Sequence, residues 1–427
     1  MPLREKLDDI VFGLEMVGRG AAEWITTGAL FNPLRKELRA DPYPFYHRLR
    51  AKDPIHRSYP ASGWVLTRYD DILTVLSDRA FSSDERHWRR YPRERARNAR
   101  AGFPDMYEND TISMLRLDPP DHTRLRTLVS KAFTTRAVER MRPRIVGVVT
   151  ELLDGLAGRG EIELMQEFAS PLPMAIIAEM LGVAVEDRTR FRHWSNEVVR
   201  LLGDSTRDDR RRALVAMDEL HAWLDGEVEQ RRRQPRDDLL SGLVAAEESG
   251  DRLATSELFA ICVLLLVAGN ETTTNLIGNG IIALLRHPEQ CERLRREPAL
   301  IPGAIEELLR YDSPVQLTSR LVLEECMLRN RRLQPGQQLV LLLGAGNRDP
   351  ERFVDPDRLD VTRPDVRPLS FGHGIHFCLG AQLARLEAQI AFEQLLPRFP
   401  DLRFGRGAIV WGDNTVLHGP RKLPLAL

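Results

Sequence analysis

The stretch FGHGIHFCLGAQLARLE, residues 371–387, decides the fold. Its second half has the period of a helix: Leu379, Leu383, Leu386 and Ile390 recur at spacings of four, three and four, and Pro397 is expected to stop the run. Its first half has no period. Cys378 therefore sits where an irregular loop meets a helix start. A helix N-terminus favours an anion, and the thiolate is the form of cysteine that binds a metal. Gly374 and Gly380 let the backbone approach a flat ligand closely. Taken alone, a single cysteine reads more readily as a small buried apolar residue. The other three, Cys262, Cys291 and Cys326, make no CxxC pair with it and no short-spaced framework. That usage, with no signal peptide, points to a reducing cytoplasm.

Upstream lies a second unusual segment. Residues 258–267 are an unbroken apolar run, AGNETTTN follows, and residues 276–285 are mostly apolar again. One helix over residues 256–286 is expected. A membrane span is the rival, but Asn270, Glu271, Thr272, Thr273 and Thr274 would then lie at its centre, which is costly in lipid. A central helix of a soluble protein fits better. Thr272 is placed to bond back to the carbonyl of Ala268 and bend the helix, with Gly269 removing bulk beside the bend. A groove opened there admits dioxygen and water, and Glu271 is positioned to relay protons inward; a purely helix-bending network is the alternative.

The rest of the chain fits one large, mainly α domain with small β-sheets. No linker, repeat or low-complexity tract divides the 427 residues. Residues 55–58 and 64–67 read as paired strands, residues 119–310 as almost wholly helical, and residues 317–323 and 338–343 as strands. Leu3, Leu7, Ile10, Leu14 and Val17 mark an amphipathic N-terminal helix. It is too charged to span a membrane and is expected to pack on the chain's own body, within a lead-in of residues 1–40 ahead of the domain at 41–427. A net charge of −1 gives no bias toward nucleic acid.

Phe371, Gly374, His376, Cys378 and Gly380, in this order and spacing, resemble the haem-binding signature of the cytochrome P450 family. The resemblance runs on through Ala381, Leu383, Ala384, Arg385 and Glu387 and covers the chain from about Asp41 to the C-terminus. AGNETT is similar to the family's oxygen-activation motif, with Glu271 and Thr272 as its acid–threonine pair. Glu307 and Arg310 match its ExxR motif, and Arg358 matches the arginine that completes that network, although Leu359 stands where the family usually has an aromatic residue. His122 and Arg126, with His376 and Arg320, match the groups that hold the haem propionates.

The resemblance implies the triangular P450 fold and haem b between the central helix, at Ala268 and Gly269, and the cysteine helix. Cys378 is then the axial ligand, whose thiolate pushes electron density to favour O–O cleavage. The implied activity is insertion of one atom of O2 into a C–H or C=C bond of a largely apolar small molecule. Ile112, Leu264, Val267, Ala268, Val315, Leu317 and Val416 are the expected pocket lining, each equally readable as plain core. No flavin or ferredoxin module follows the cysteine helix, so a ferredoxin or flavodoxin-type donor with an NAD(P)H reductase is expected. It would dock on the cysteine side near Arg124, Lys131 and Arg385. A monomer is expected. Two rivals stand beside this reading: a peroxide-using or isomerising haem-thiolate enzyme, and a non-catalytic haem-binding sensor. Seven arginines from Arg86 to Arg100, with Arg207, Arg210, Arg211 and Arg212, crowd the segments expected to cover the pocket. A solvated face is their ordinary reading; the alternative is recruitment of a substrate with an anionic end or carrier.

The ligand assignment has a direct spectroscopic consequence. The purified protein carries haem, and its reduced carbon monoxide complex shows the red-shifted band of thiolate ligation. Cys378→Ala abolishes that band; an unchanged band in this variant would refute the assignment.

Overall fold

The central element is the helix Thr255–Arg286, 32 residues long, which packs against Pro171–Met180, Ile301–Tyr311 and Ala381–Arg398 among others. It passes the length and apolarity test for a membrane span, yet 67% of its most apolar window is buried inside the protein. The computed structural model describes residues 17–26, 28–32, 37–59, 63–100, 103, 113–201, 206–248 and 253–427. The central helix starts where the Glu257 side chain accepts the Ala254 N–H at 2.8 Å, meeting one of the donors that a helix start leaves open. Leu258, Ile261, Leu266, Ile277, Ile281 and Leu284 are all at most 2% exposed and form the middle of the largest core cluster. The cysteine helix, Ala381–Arg398, packs against it through Phe392. A Cβ at Gly280 would lie 2.6 Å from Phe392 Cζ, so a glycine there lets the two helices touch. Pro397 does not stop this helix; it lies within the last turn, which closes at Arg398.

A five-stranded sheet flanks the helical body. Ile55–Ser58 pairs antiparallel with Gly63–Leu66, which runs parallel to Gln338–Leu342. Leu317–Val322 and then Phe81–Ser82 complete the sheet, both antiparallel. The parallel step is tight: a Cβ at Gly63 would fall 2.1 Å from the Gln338 carbonyl oxygen. Small strands lie elsewhere, including Glu161–Glu163 inside the stretch read as almost wholly helical. The N-terminal residues Leu3, Leu7, Ile10 and Leu14 lie outside the described residues, and Val17 is exposed. Residues 17–26 are helical, and Glu23 is buried there, accepting from Ser58 Oγ at 2.9 Å and the Tyr59 N–H at 2.8 Å.

The segment that leads into the cysteine loop is held by a buried ion network. Glu307 and Arg310 sit one helical turn apart and both side chains are fully buried. Arg310 donates Nε and Nη2 to the two Glu307 oxygens at 2.7 and 2.8 Å, Nη1 to the carbonyls of Asn347 and Pro356, and Nη2 also to Arg358 O. The sequence expectation needs correction here. The third member is Arg363, whose Nε lies 3.1 and 3.2 Å from the Glu307 oxygens. The Arg358 side chain is 65% exposed and pairs with Asp360. The chain turns tightly at Asp355, with φ of 45°, and so presents the Arg358 carbonyl inward and its side chain outward. Leu359, which replaces the expected aromatic, is 1% exposed and fills core.

Arg363→Ala therefore lowers the unfolding free energy by about 1.5–3 kcal/mol, the range for hydrogen bonds to charged groups. Arg358→Ala keeps its carbonyl and costs less than about 0.5 kcal/mol. Denaturant unfolding of the two variants checks this; the reverse order would reinstate Arg358.

Candidate active site

The cysteine loop is shaped by backbone rather than by side chains. After the turn Leu369–Phe371, Gly372 and Gly374 adopt φ of 68° and 69°, a region costly for residues with a Cβ. At Gly374 a Cβ would also lie 2.3 Å from the Leu76 carbonyl oxygen, so only glycine fits. The Cys378 N–H donates to Phe371 O at 2.9 Å, closing the loop on itself. Gly380 then starts the helix as its N-cap. Burial pushes the Cys378 thiol up, while the Gly380 N–H and the Arg126 and Arg385 charges pull it down. A sulfur so placed resists ionising without a cation beside it, and the helix start and Arg126 are oriented to support the thiolate once one is bound.

Four basic side chains from three separate elements converge near this loop. His122 is 2% exposed and its ring centroid lies 4.2 Å from that of His376. Neither histidine has a hydrogen-bond partner on either ring nitrogen. Arg320 is 8% exposed and donates only to its neighbour's carbonyl, Ser319 O, at 2.7 Å. Arg126 donates to Phe377 O at 2.6 Å. Among the described residues no carboxylate forms an ion pair with Arg126 or Arg320. Burial and the neighbouring arginines hold the histidines neutral, His376 being lowered to about 3 by burial, then by Arg320, His122 and Arg126, whereas Arg320, lowered to about 10 by burial with Asp118 opposing, keeps its charge. Buried donors of this kind require partners. A flat macrocycle bearing two carboxylates above Cys378 meets that requirement, so these residues fit haem. Sequence reasoning missed Asp118, which accepts from Ser83 N at 3.1 Å and from Ser82 Oγ. Its position four residues before His122 was the available signal.

The central helix loses its cover at its polar break. Ala268 is exposed and Gly269, Glu271 and Thr272 are half-buried, within a helix buried on both sides of them. Thr272 Oγ1 donates to Ala268 O at 2.7 Å, as the sequence leads one to expect. Asn270 and Thr274 face the opposite way: Asn270 donates to Ser195 Oγ at 3.3 Å and Thr274 to Ala169 O at 3.3 Å, tying the helix to its neighbours. The polar break thus divides into a structural half and a half that faces the cleft. Burial raises the Glu271 carboxyl above the ordinary range, partly offset by Arg421 and Arg200.

Of the expected pocket lining, Ile112 lies outside the described residues. Leu264 and Val267 are 9% and 7% exposed on the central helix. Val315 and Val416 are brought together by the bridge between Val315 and Leu417 and by the Gln316 N–H donating to Val416 O at 2.8 Å. Leu317 departs from expectation. It pairs across the sheet with buried Leu342 and packs in the cluster of Phe31 and Tyr46.

The charged surfaces also differ from expectation. Arg124 is held by Glu257 at 3.0 Å and Arg385 by both oxygens of Glu306 at 2.5 and 3.0 Å, so neither projects freely toward a partner. The two arginine-rich segments meet, with Arg210 donating to Asn98 at 3.0 Å and lying 5.3 Å from the Phe103 ring centroid. Several of these arginines are ion-paired, among them Arg97 with Glu94 and Arg212 with Asp209.

Comparison with known proteins gives a consistent result. Residues 70–400 match the family described as Cytochrome P450. The chain is 46% identical over 389 residues to cytochrome P450 107B1 of Saccharopolyspora erythraea, covering 89% of this chain and 93% of that one. It is 43% identical over 393 residues to the vitamin D(3) 25-hydroxylase of Pseudonocardia autotrophica, covering 91% and 94%. The structure of PksS, the cytochrome P450 of the Bacillus subtilis 168 bacillaene polyketide synthase, superposes with a TM-score of 0.84 at 39% identity, over 93% of this chain and 100% of that one.

Proposed function

Since the chain belongs to the cytochrome P450 family, we propose that Cys378, Glu271 and Thr272 carry out its monooxygenase reaction in the roles their geometry supports. The enzyme is a haem-dependent oxidoreductase acting on apolar substrates. Haem b, ligated by the Cys378 thiolate, supplies dioxygen activation and transfer of one oxygen atom. O2, two electrons, two protons and substrate give the oxygenated product and water. The protein's part is to deliver those protons in order. Thr272 Oγ1, fixed on Ala268 O, presents its oxygen as an acceptor toward the cleft. Glu271, one residue away and raised by burial, is a carboxyl poised to give a proton. His122, Arg126, Arg320 and His376 hold the propionates, and Ala268 and Gly269 let the macrocycle approach the helix.

The observation that carries this reading is the opening at Ala268–Thr272 in an otherwise buried helix, with an acid and a hydroxyl beside it. The same observation disfavours a peroxide-using, isomerising or sensing protein, none of which needs ordered proton delivery. Electrons come from a separate protein, for which a ferredoxin or flavodoxin with its NAD(P)H reductase is our assignment. With such a donor, Thr272→Ala still binds haem and substrate and consumes electrons, but releases more peroxide and less product. Glu271→Gln slows product formation by about 10²–10⁴-fold. Product yield and peroxide per electron, measured together, check both; unchanged values would make the motif structural.

The substrate class follows from the pocket and its mouth. Val315, Val416, Leu264 and Val267 support an apolar body at the oxidised end. The two arginine-rich segments, which meet each other and hold seven arginines against three acids between Asp84 and Arg100, support an anionic group at the other end if they cover the pocket as the resemblance implies. A fatty acid then binds more tightly than its methyl ester, and raising salt narrows the difference, because exposed charges are screened within about 8 Å at physiological ionic strength. Spin-state titration at two salt concentrations measures this. Equal, salt-independent affinities would leave the arginines a solvated face.

A further inference from the structure

Two adjacent glutamates of the helix Ile301–Tyr311 hold the two ends of the cysteine loop. Glu307 anchors Arg310 and Arg363, which fix the segment entering the loop. Glu306 reaches the other end. It accepts from Nε and Nη2 of Arg385, in the cysteine helix, at 2.5 and 3.0 Å. A fork of two bonds fixes the plane of the guanidinium. Its Cζ stands 4.6 Å from the centroid of the Phe371 ring, within the range of a cation–π contact. Phe371 in turn takes the Cys378 N–H on its carbonyl at 2.9 Å. Glu306, Arg385, Phe371 and Cys378 therefore form one unbroken chain of contacts from a carboxylate to the cysteine.

Positive charge reaches the loop from two sides. Arg126, on the helix Asp121–Ser130, donates to Phe377 O at 2.6 Å, one residue before the cysteine. Among the described residues no acid forms an ion pair with it. Arg385 differs, because its charge comes with an acid attached. The side chains of Arg385 and Glu306 are 28% and 21% exposed, so water screens neither charge fully. Both arginines favour the anionic form of Cys378. A cation near a thiolate draws electron density from the sulfur, and so from a metal that the sulfur binds. A carboxylate on that cation returns part of the density. The ordinary reading of such a pair is that it only pins one helix to another. Its contact with the residue that closes the cysteine loop gives it a second role.

We propose that Arg385 tunes how strongly the Cys378 thiolate donates to the haem iron, and that Glu306 sets how much of the Arg385 charge the sulfur feels. Both are positioning residues, acting through Phe371 and Cys378. The proposal rests on the assignment of Cys378 as the axial ligand. Without the cation the thiolate is a stronger donor, so the iron is harder to reduce and O–O cleavage is favoured more. Without the acid the balance moves the other way. The pair holds the site between easy reduction and strong donation.

Two readouts that need no turnover test this on the full-length haem-loaded protein without substrate: the midpoint potential of the iron, and the C–O stretch of the reduced carbon monoxide complex. In Arg385→Met the potential falls and the stretch moves to lower frequency. In Glu306→Gln the potential rises and the stretch moves to higher frequency. Arg385→Lys keeps the charge without the fork and shifts less than Arg385→Met. The double variant, Arg385→Met with Glu306→Gln, has the wild-type net charge and returns toward wild-type values. A pair that only pins helices gives no shift, or shifts of one sign in both single variants with the double variant displaced as far or further. Either result overturns the proposal while Cys378 stays the ligand, as does a shift in Arg385→Lys as large as in Arg385→Met. If Arg385→Met does not load haem, Glu306→Gln decides alone: a potential that does not rise overturns the proposal. A thiolate band that survives Cys378→Ala overturns the ligand assignment, and the proposal with it.

Discussion

A guanidinium with no access to water has five N–H donors to satisfy, and Arg310 satisfies all five within the protein. Two go to Glu307 and three to the carbonyls of Asn347, Pro356 and Arg358. The Pro356 and Arg358 carbonyls belong to the irregular segment before the cysteine loop, and Asn347 ends the short helix Leu343–Asn347 that leads into it. That segment has little regular structure of its own, so its path is set by what its carbonyls accept. Removing either fully buried partner, Glu307 or Arg310, strands the charge of the other and costs about 3–5 kcal/mol. The cysteine loop, a few residues further on, inherits its position from Arg310. Asn347 extends the same control: its side chain donates to Ser313 and Ser370 and accepts the Leu369 N–H, at the entrance to the loop.

Much of this was legible in the sequence because it depended on local rules. The central helix announced itself by its apolar run and its polar break, and came out at Thr255–Arg286 against an expected 256–286. The loop-to-helix junction at Cys378 followed from the glycines and from the period after it. What misled was tertiary. Arg358 and Arg363 are five residues apart in an aperiodic stretch, and nothing local says which turns inward. Leu317 looked like pocket because it is apolar and near Val315; its partner Leu342 across the sheet decided otherwise. Arg124 and Arg385 looked like open cations because their acids, Glu257 and Glu306, are far away in sequence. The charges on Glu271 were invisible for the same reason, as they come from the region over the cleft and from the C-terminal hairpin.

The site itself inverts the usual rule that buried polar groups find partners within the protein. Among the described residues the ring nitrogens of His122 and His376 are held in place by packing with no hydrogen-bond partner, and Arg320 reaches only the carbonyl of Ser319. Unpartnered buried donors gathered this way destabilise the protein on its own and become favourable once carboxylates arrive. Binding of the cofactor and stability of the fold are therefore one equilibrium in this chain.

The parallel pairing of Gly63–Leu66 with Gln338–Leu342 has a consequence for biosynthesis. Some 270 residues must emerge from the ribosome before Gly63–Leu66 meets its second neighbour, Gln338–Leu342. At about 5–20 residues per second that wait is roughly 15 to 55 seconds. During it, the hairpin of Ile55–Ser58 and Gly63–Leu66 presents an unpaired edge, and Gly63 offers no side chain to screen it. The close approach that tightens the finished sheet leaves the nascent chain with a sticky strand for most of its synthesis. A holding chaperone, or a slow codon stretch placed after residue 342 rather than before it, would favour the native pairing over aggregation.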